Sequence, residues 1–98
     1  MEYPEVPDKL TKPNLRADYM VEHLWDKVDL EKTAITDRQA FVDAFTDYLS
    51  MFAVADVPEV EKAVAKFVNR IQKNSSNLQL LLDALEVLVY DPRPQYCS

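Results

Sequence analysis

The sequence predicts an all-α fold, with about four amphipathic helices packed as a small antiparallel, bundle-like domain. The 98 residues include no glycine, whereas globular proteins average about 7%. This composition disfavours β-hairpins, barrel corners and glycine-rich phosphate loops, which need glycine's backbone freedom. Apolar residues recur at helical spacing in four separate segments. With 48% hydrophobic residues, the chain can build one core and is too apolar for a disordered segment.

The first segment begins with an extended lead-in over residues 1–12. Pro4 and Pro7 lie in this stretch and disfavour a helix. Pro13 then suits the first turn of helix one. We therefore predict a helical domain over residues 13–91. The apolar face of helix one consists of Ala17, Met20, Val21, Leu24 and Val28.

Helices two and three have recognisable start signals. Thr36 and Gln39 have the spacing of a capping box, which predicts the start of helix two. Asp56 is the predicted cap of helix three, followed by Pro58 and Glu59 in its first turn. Aromatic residues at helical spacing in helix two either form core or line a ligand groove. They are Phe41, Phe45, Tyr48 and Phe52.

Helix four is the most apolar segment of the chain. Ser76 and Gln79 form a second predicted capping box at its start. Its apolar residues cover much of its circumference, which predicts a central position in the domain. Asp91 and Pro92 end it, and residues 92–98 are interpreted as a C-terminal tail or truncated linker.

The overall charge excludes some classes of partner. The formal net charge is −6 and the isoelectric point about 4.6, so phosphate backbones would be repelled in the absence of a basic cluster with interleaved aromatics. We therefore expect no nucleic-acid binding. A membrane-spanning helix needs about 20 apolar residues, and the longest apolar stretch, residues 78–90, is shorter and is interrupted by polar side chains.

The residue types that support catalysis or metal binding are scarce. His23 is the single histidine, and Met20 stands where a di-iron Glu-x-x-His motif needs glutamate. Cys97 is the single cysteine, so it cannot form an intramolecular disulfide. Carboxylates one helical turn apart are typical of a solvated helix face. We therefore expect no enzyme activity, no cofactor, no metal and no catalytic residue.

A basic stripe on helix three is the most distinctive surface feature. It consists of Lys62, Lys66, Arg70 and Lys73, at spacings of three and four residues in an otherwise acidic chain. The stripe is either a docking face for an acidic partner or a solvated face opposite acidic residues of helix one. Trp25 lies at the border of the apolar face of helix one, either packed under the following loop or exposed to a partner. These five residues form the candidate partner face.

The segment from Arg16 to Leu30, RADYMVEHLWDKVDL, followed by Thr33, resembles a helical domain-of-unknown-function family of Bacteroidetes. Later landmarks of that family match Phe41-Val-Asp43, Tyr48-Leu49 and Tyr90-Asp-Pro92. Members usually precede a thioredoxin-like domain in exported proteins. The resemblance implies an exported, periplasmic or cell-envelope bacterial protein, whereas a cytoplasmic location is expected if the chain is complete. The family's pattern names no catalytic residue, and no Cys-x-x-Cys motif occurs here.

Taken together, these features predict a non-catalytic accessory or interaction module of a cell-envelope thioredoxin-like protein. Its expected partner is a protein or an adjoining thioredoxin-like domain. The alternative is a small-ligand or peptide-binding domain with its site between helices two and four. The sequence leaves open the identity of the partner, the oligomeric state and the role of Cys97.

Overall fold

Four helices account for most of the structure. The computed structural model describes residues 3–90, with the backbone alone at positions 89 and 90, and this part contains no β-strand. The helices are α1 (Pro13–His23), α2 (Arg38–Met51), α3 (Val57–Ile71) and α4 (Ser75–Tyr90). The predicted all-α class is confirmed. The tail predicted over residues 92–98, with Cys97, lies outside the described residues.

Helix α2 begins one residue later than predicted. Asp37, not Thr36, precedes the helix, and its Oδ1 accepts a hydrogen bond of 3.0 Å from the Ala40 backbone N–H. Gln39 donates instead to Asp43 within the helix, at 2.9 Å. The Thr36–Gln39 capping box is therefore wrong. An aspartate next to the threonine offers an equally good acceptor, and here it occupies the capping position.

Helix α4 likewise has a different cap from the predicted one. The Asn74 side chain accepts a hydrogen bond of 3.2 Å from the Asn77 N–H, and the helix begins at Ser75. Gln79 again bonds forward, to Asp83 at 3.0 Å. The Ser76–Gln79 capping box is also wrong, because asparagine two positions earlier serves as the cap.

Asp56 precedes α3 as predicted, but its side chain makes no capping hydrogen bond. Its backbone N–H instead donates to Asp18 Oδ1 of α1 at 2.7 Å. Pro58 occupies the first turn and Glu59 supplies the acidic side chain favoured there. This contact ties the start of α3 to α1. Burial and the nearby Asp56 and Glu59 charges raise the pKa of Asp18 above its ordinary value.

The core is centred on an aromatic cluster. The Trp25 ring lies 5.6 Å from Phe41, 5.5 Å from Tyr48 and 4.8 Å from Phe67, measured between ring centroids. These residues come from the segment after α1, from α2 and from α3, so one cluster joins three parts of the chain. Buried aliphatic residues surround it, among them Val21, Leu24, Leu30 and Ile71.

Helix α4 is peripheral, which contradicts its predicted central position. It contacts α2 and α3 but makes no backbone contact with α1. Leu81 and Ala84 are buried, whereas Leu82 and Leu85 are 50% and 38% exposed. The apolar surface of α4 is wider than the area that α2 and α3 cover, so its wide apolar circumference does not reflect burial on all sides. Within residues 3–90, no helix is long and apolar enough to cross a membrane.

Candidate partner-binding surfaces

The basic stripe lies beside the α1–α2 connection (residues 24–37). Lys62 is within 3.8 Å of Glu59 on its own helix. Lys66 Nζ lies 3.4 Å from Asp26 Oδ1. Lys73 lines a wide cleft of about 540 Å³ with Arg70, Asp26 and Glu31. The acids opposite the stripe come mainly from this connection and not, as expected, from the body of helix one. The role of the basic stripe in docking stays a prediction.

Arg70 is the residue of the stripe that is most engaged inside the domain. Its guanidinium donates to both carboxylate oxygens of Glu31, at 3.1 and 3.0 Å. It also donates to the backbone carbonyls of Trp25 at 2.9 Å and Val28 at 2.8 Å. The side chain is only 19% exposed. A planar guanidinium suits such a fork of acceptors, so Arg70 fastens the start of the α1–α2 connection to α3.

Asn77 fastens the end of the same connection, and sequence reasoning missed it. Its amide Nδ2 donates to the carbonyls of Leu30 at 2.9 Å and Thr33 at 3.0 Å. Its Oδ1 accepts from the Ile35 N–H at 2.8 Å. Asn77 is fully buried. One signal could have found it, because Asn77 lies on the helical row that continues through Leu81, Ala84 and Leu88.

The carboxylates of the α1–α2 connection are stabilised in their charged forms. Backbone N–H groups, that of Lys32 foremost at 2.9 Å, lower the pKa of Asp29. The hydrogen bond from Arg70 lowers the pKa of Glu31. Burial alone would raise the pKa of Asp26, but the contact with His23 and the charge of Lys66 lower it.

His23 lies at the C-terminal end of α1 in a small polar group. Its Nδ1 is 2.6 Å from Asp26 Oδ2, and its ring lies 4.5 Å from that of Tyr19. Within residues 3–90, no three histidine, cysteine or acidic side chains are grouped closely enough to hold a metal ion. The arrangement is that of a local helix-end contact.

Trp25 does not belong to an accessible partner face. It is 4% exposed and contacts three aromatic rings of the core. The inclusion of Trp25 in the candidate partner face is therefore wrong. The α1–α2 connection turns directly after α1 and folds the indole inward, towards the rings of α2 and α3. Its buried Nε1 has no hydrogen-bond partner among the described residues.

An open apolar groove lies between α2, α3 and α4. Its volume is about 230 Å³, and none of the described residues that line it is charged. Val68 and Leu85 stand at its edge and are 42% and 38% exposed. We call this feature the apolar groove, and its lining is Phe45, Tyr48, Leu49, Phe52, Val64, Phe67, Val68, Leu81 and Leu85.

The floor of the apolar groove is made of packed rings. Phe45 lies 6.1 Å from Phe67 in a stacked arrangement, and Tyr48 lies 4.9 Å from Phe52 edge to face. The Tyr48 hydroxyl is buried and has no hydrogen-bond partner in the part of the chain that the structure describes, and burial raises its pKa to about 12. The aromatic ladder of helix two therefore serves both as core and as groove lining. Interlocked rings lose little freedom on binding, so the floor is preorganised.

The described residues define a small all-α domain with an apolar groove between three of its helices. The chain belongs to the family described as domain of unknown function DUF5106, which matches residues 1–96. The fold is similar to that of a thioredoxin-like protein from Bacteroides caccae, with a TM-score of 0.77 and 22% sequence identity. The match covers 88% of this chain and 31% of that protein. No curated protein matches the sequence.

Proposed function

We propose that this domain is a non-catalytic accessory module of a larger thioredoxin-like protein of the bacterial cell envelope. The observation that carries the proposal is the fold match, which covers most of this chain but only 31% of a protein described as thioredoxin-like. In that protein, the equivalent of this domain shares a polypeptide with a much larger remainder. A module of this kind would position or recognise something for its neighbouring redox domain.

The absence of a Cys-x-x-Cys motif supports a non-catalytic role. A single cysteine, Cys97, cannot cycle between a dithiol and an intramolecular disulfide. Any thiol–disulfide exchange of the whole protein would then reside in the neighbouring domain. We expect the isolated domain to show no disulfide-reductase activity in an insulin-reduction assay.

The first test is an immunoblot of fractionated native cells with an antibody against this domain. A thioredoxin-like neighbour of about 100–200 residues would add roughly 11–22 kDa to the 11.3 kDa of this chain. A longer species in the envelope fraction would agree with the proposal. A cytosolic band near the mass of this chain would contradict it.

The apolar groove favours a second candidate function, which is binding of a small ligand or peptide. The groove lies between the helices expected to hold such a ligand and is lined by α2, α3 and α4. A ligand that binds only the folded state raises the melting temperature in proportion to the logarithm of its concentration. A thermal-shift screen of this domain with apolar compounds would test this candidate, and a screen without any concentration-dependent shift would count against it.

A further inference from the structure

The apolar groove continues into an exposed apolar strip on α4. Leu85 lies at the edge of the groove, and Leu82 lies one turn before it on the same helix. Val68 of α3 forms the opposite edge. Contiguous exposed apolar side chains of this kind mark interaction sites more often than ordinary surface. The groove and Leu82 together therefore present exposed apolar side chains from both α3 and α4.

The size of the groove indicates what kind of group fills it. Small-molecule pockets occupy about 300–1,000 Å³ and carry a few polar groups that fix ligand orientation. The groove is smaller, about 230 Å³, and its lining within residues 3–90 is without charge. It suits one or two large apolar side chains projecting from a protein surface, as the central anchors of an interface do. The exposed Leu82 and Val68 would then contact the area around the anchor.

The basic stripe of α3 is poorly suited to bind a partner. Arg70 is committed to Glu31 and two backbone carbonyls, and Lys66 pairs with Asp26. A partner that recruited these cations would first have to break contacts that hold the α1–α2 connection. The apolar groove requires no such rearrangement, because its edge residues are already exposed.

We infer that the apolar groove, extended by Leu82, is the surface on which a thioredoxin-like domain of the same polypeptide packs. The inference rests on the proposed function and adds the site of contact. The similar protein from Bacteroides caccae has more than two thirds of its chain outside the matched region. A tethered domain is present at an effective concentration in the millimolar range, so a modest apolar contact is sufficient to hold it.

Site-specific photo-crosslinking in the native-length polypeptide tests the inference. A benzophenone amino acid replaces Val68 in one sample and Leu15 in the other. Leu15 is a matched control, because it is 39% exposed and lies on α1, which has no backbone contact with α4. We expect irradiation to link position 68, but not position 15, to peptides of the thioredoxin-like domain within one chain. Mass spectrometry of the digested product identifies the linked peptides.

A second variant shows whether the contact depends on the groove. Leu85→Asp should lower the docked-to-undocked ratio, read from the crosslink yield at position 68, by about 30-fold or more, as expected when an unpaired charge is covered at the edge of an apolar contact. Leu15→Asp should leave the yield unchanged. Circular dichroism establishes that both variants remain folded.

The outcomes separate this inference from the proposed function. A native polypeptide with no thioredoxin-like domain overturns both. A native polypeptide that has this domain, but whose crosslinks from position 68 are absent or equal to those from position 15, overturns only the inference. Crosslinks to a second copy of this chain also overturn it, because the groove would then be a dimer contact.

Discussion

The α1–α2 connection and the apolar groove lie on different parts of one small domain and are built in opposite ways. The connection is held by polar groups whose hydrogen bonds are satisfied, chiefly through Arg70 and Asn77. The groove is bounded by apolar side chains that remain partly open to solvent. The connection contains several charges with shifted pKa values, whereas the described residues that line the groove are uncharged.

This difference indicates which region maintains the fold and which is available to a partner. A buried polar group is costly unless its hydrogen bonds are made, so the contacts around the connection are coupled to folding. An exposed apolar side chain adds little to stability and can be covered later by another surface. Substitutions in the two regions should therefore have very different effects on the free energy of unfolding.

The largest effect is expected at Asn77. Asn77→Ala removes an amide that satisfies the Leu30 and Thr33 carbonyls and the Ile35 N–H. Buried groups left without a partner each cost about 1–3 kcal/mol, so we expect a loss of about 3 kcal/mol in the free energy of unfolding. Urea denaturation followed by circular dichroism measures it.

Asn69→Ala is the matched control for this substitution. Asn69 is an exposed asparagine of α3 whose side chain accepts from Gln72 at 3.3 Å. Its removal should change the free energy of unfolding by no more than about 0.5 kcal/mol. Equal losses for the two variants would show that the connection is not fastened through Asn77.

The second largest effect is expected at Arg70. Arg70→Met leaves Glu31 and the Val28 carbonyl without their donor, whereas the Trp25 carbonyl keeps its bond from the Val28 N–H. The substitution should cost about 2 kcal/mol. Arg70→Lys should recover little of this stability, because an ammonium group cannot reproduce the guanidinium fork. The exposed pair of Lys66 and Asp26 is worth about 0.5 kcal/mol, so Lys66→Met is the control. Full recovery in Arg70→Lys would contradict the role assigned to the fork.

The third largest effect is expected from acid, which should weaken the α1–α2 connection. The pKa values of Asp26, Asp29 and Glu31 are lowered in the folded state. Their contribution is therefore complete above the ordinary values of 3.8 and 4.5 and is lost as the pH falls through the lowered values. The melting temperature should fall between pH 5 and pH 2, and Glu31→Gln should reduce the fall. This effect is smaller than that of Arg70→Met, because these carboxylates are partly solvated.

Asp18 provides a control, because its contribution to the pH dependence of stability has the opposite sign. Its pKa is raised in the folded state, so its charge opposes folding at neutral pH and this cost is relieved as acid protonates it. Asp18→Asn keeps an oxygen acceptor for the Asp56 N–H and removes the charge. The fall in melting temperature on acidification should be steeper in this variant. A shallower fall would contradict the assigned direction.

The sequence was sufficient to predict the helices because their signals are local. Proline in a first turn and apolar residues at helical spacing placed the starts of α1 and α3 correctly, with Pro13 and Asp56 there. The end of α1 was wrong, because the helix stops at His23 and leaves Leu24 and Val28 of its predicted face in the connection. The capping boxes failed at α2 and α4 because Asp37 and Asn74 compete with the predicted caps from neighbouring positions. Local patterns do not distinguish well between neighbouring residues that could each cap a helix, because moving the start by one residue leaves the apolar face unchanged.

The candidate site was harder to predict because it depends on contacts distant in sequence. The basic stripe on α3 could be recognised in the sequence. The acceptors of Arg70, which are Glu31 and two backbone carbonyls, could not, because they lie about 40 positions away along the chain and meet Arg70 only in the fold. The predicted central position of α4 was wrong for a related reason. A wide apolar circumference predicts that a helix will be covered, but it does not show whether its own domain or another surface covers it.

The smallest effect on stability is expected at the groove edge, and it separates the two regions most sharply. Leu85→Ser and Val68→Ser replace side chains that are 38% and 42% exposed, so each should change the free energy of unfolding by no more than about 0.5 kcal/mol.

Leu81→Ala is the contrasting variant, because Leu81 lines the same groove but is 6% exposed and should cost about 2–3 kcal/mol. Thermal and urea unfolding of the three variants distinguish the edge from the floor. A loss at Leu85 as large as that at Leu81 would mean that the groove edge supports the fold itself, and the contrast with the α1–α2 connection would then disappear. A near-zero loss would leave these exposed residues without a role in folding, as expected for a surface that serves a partner.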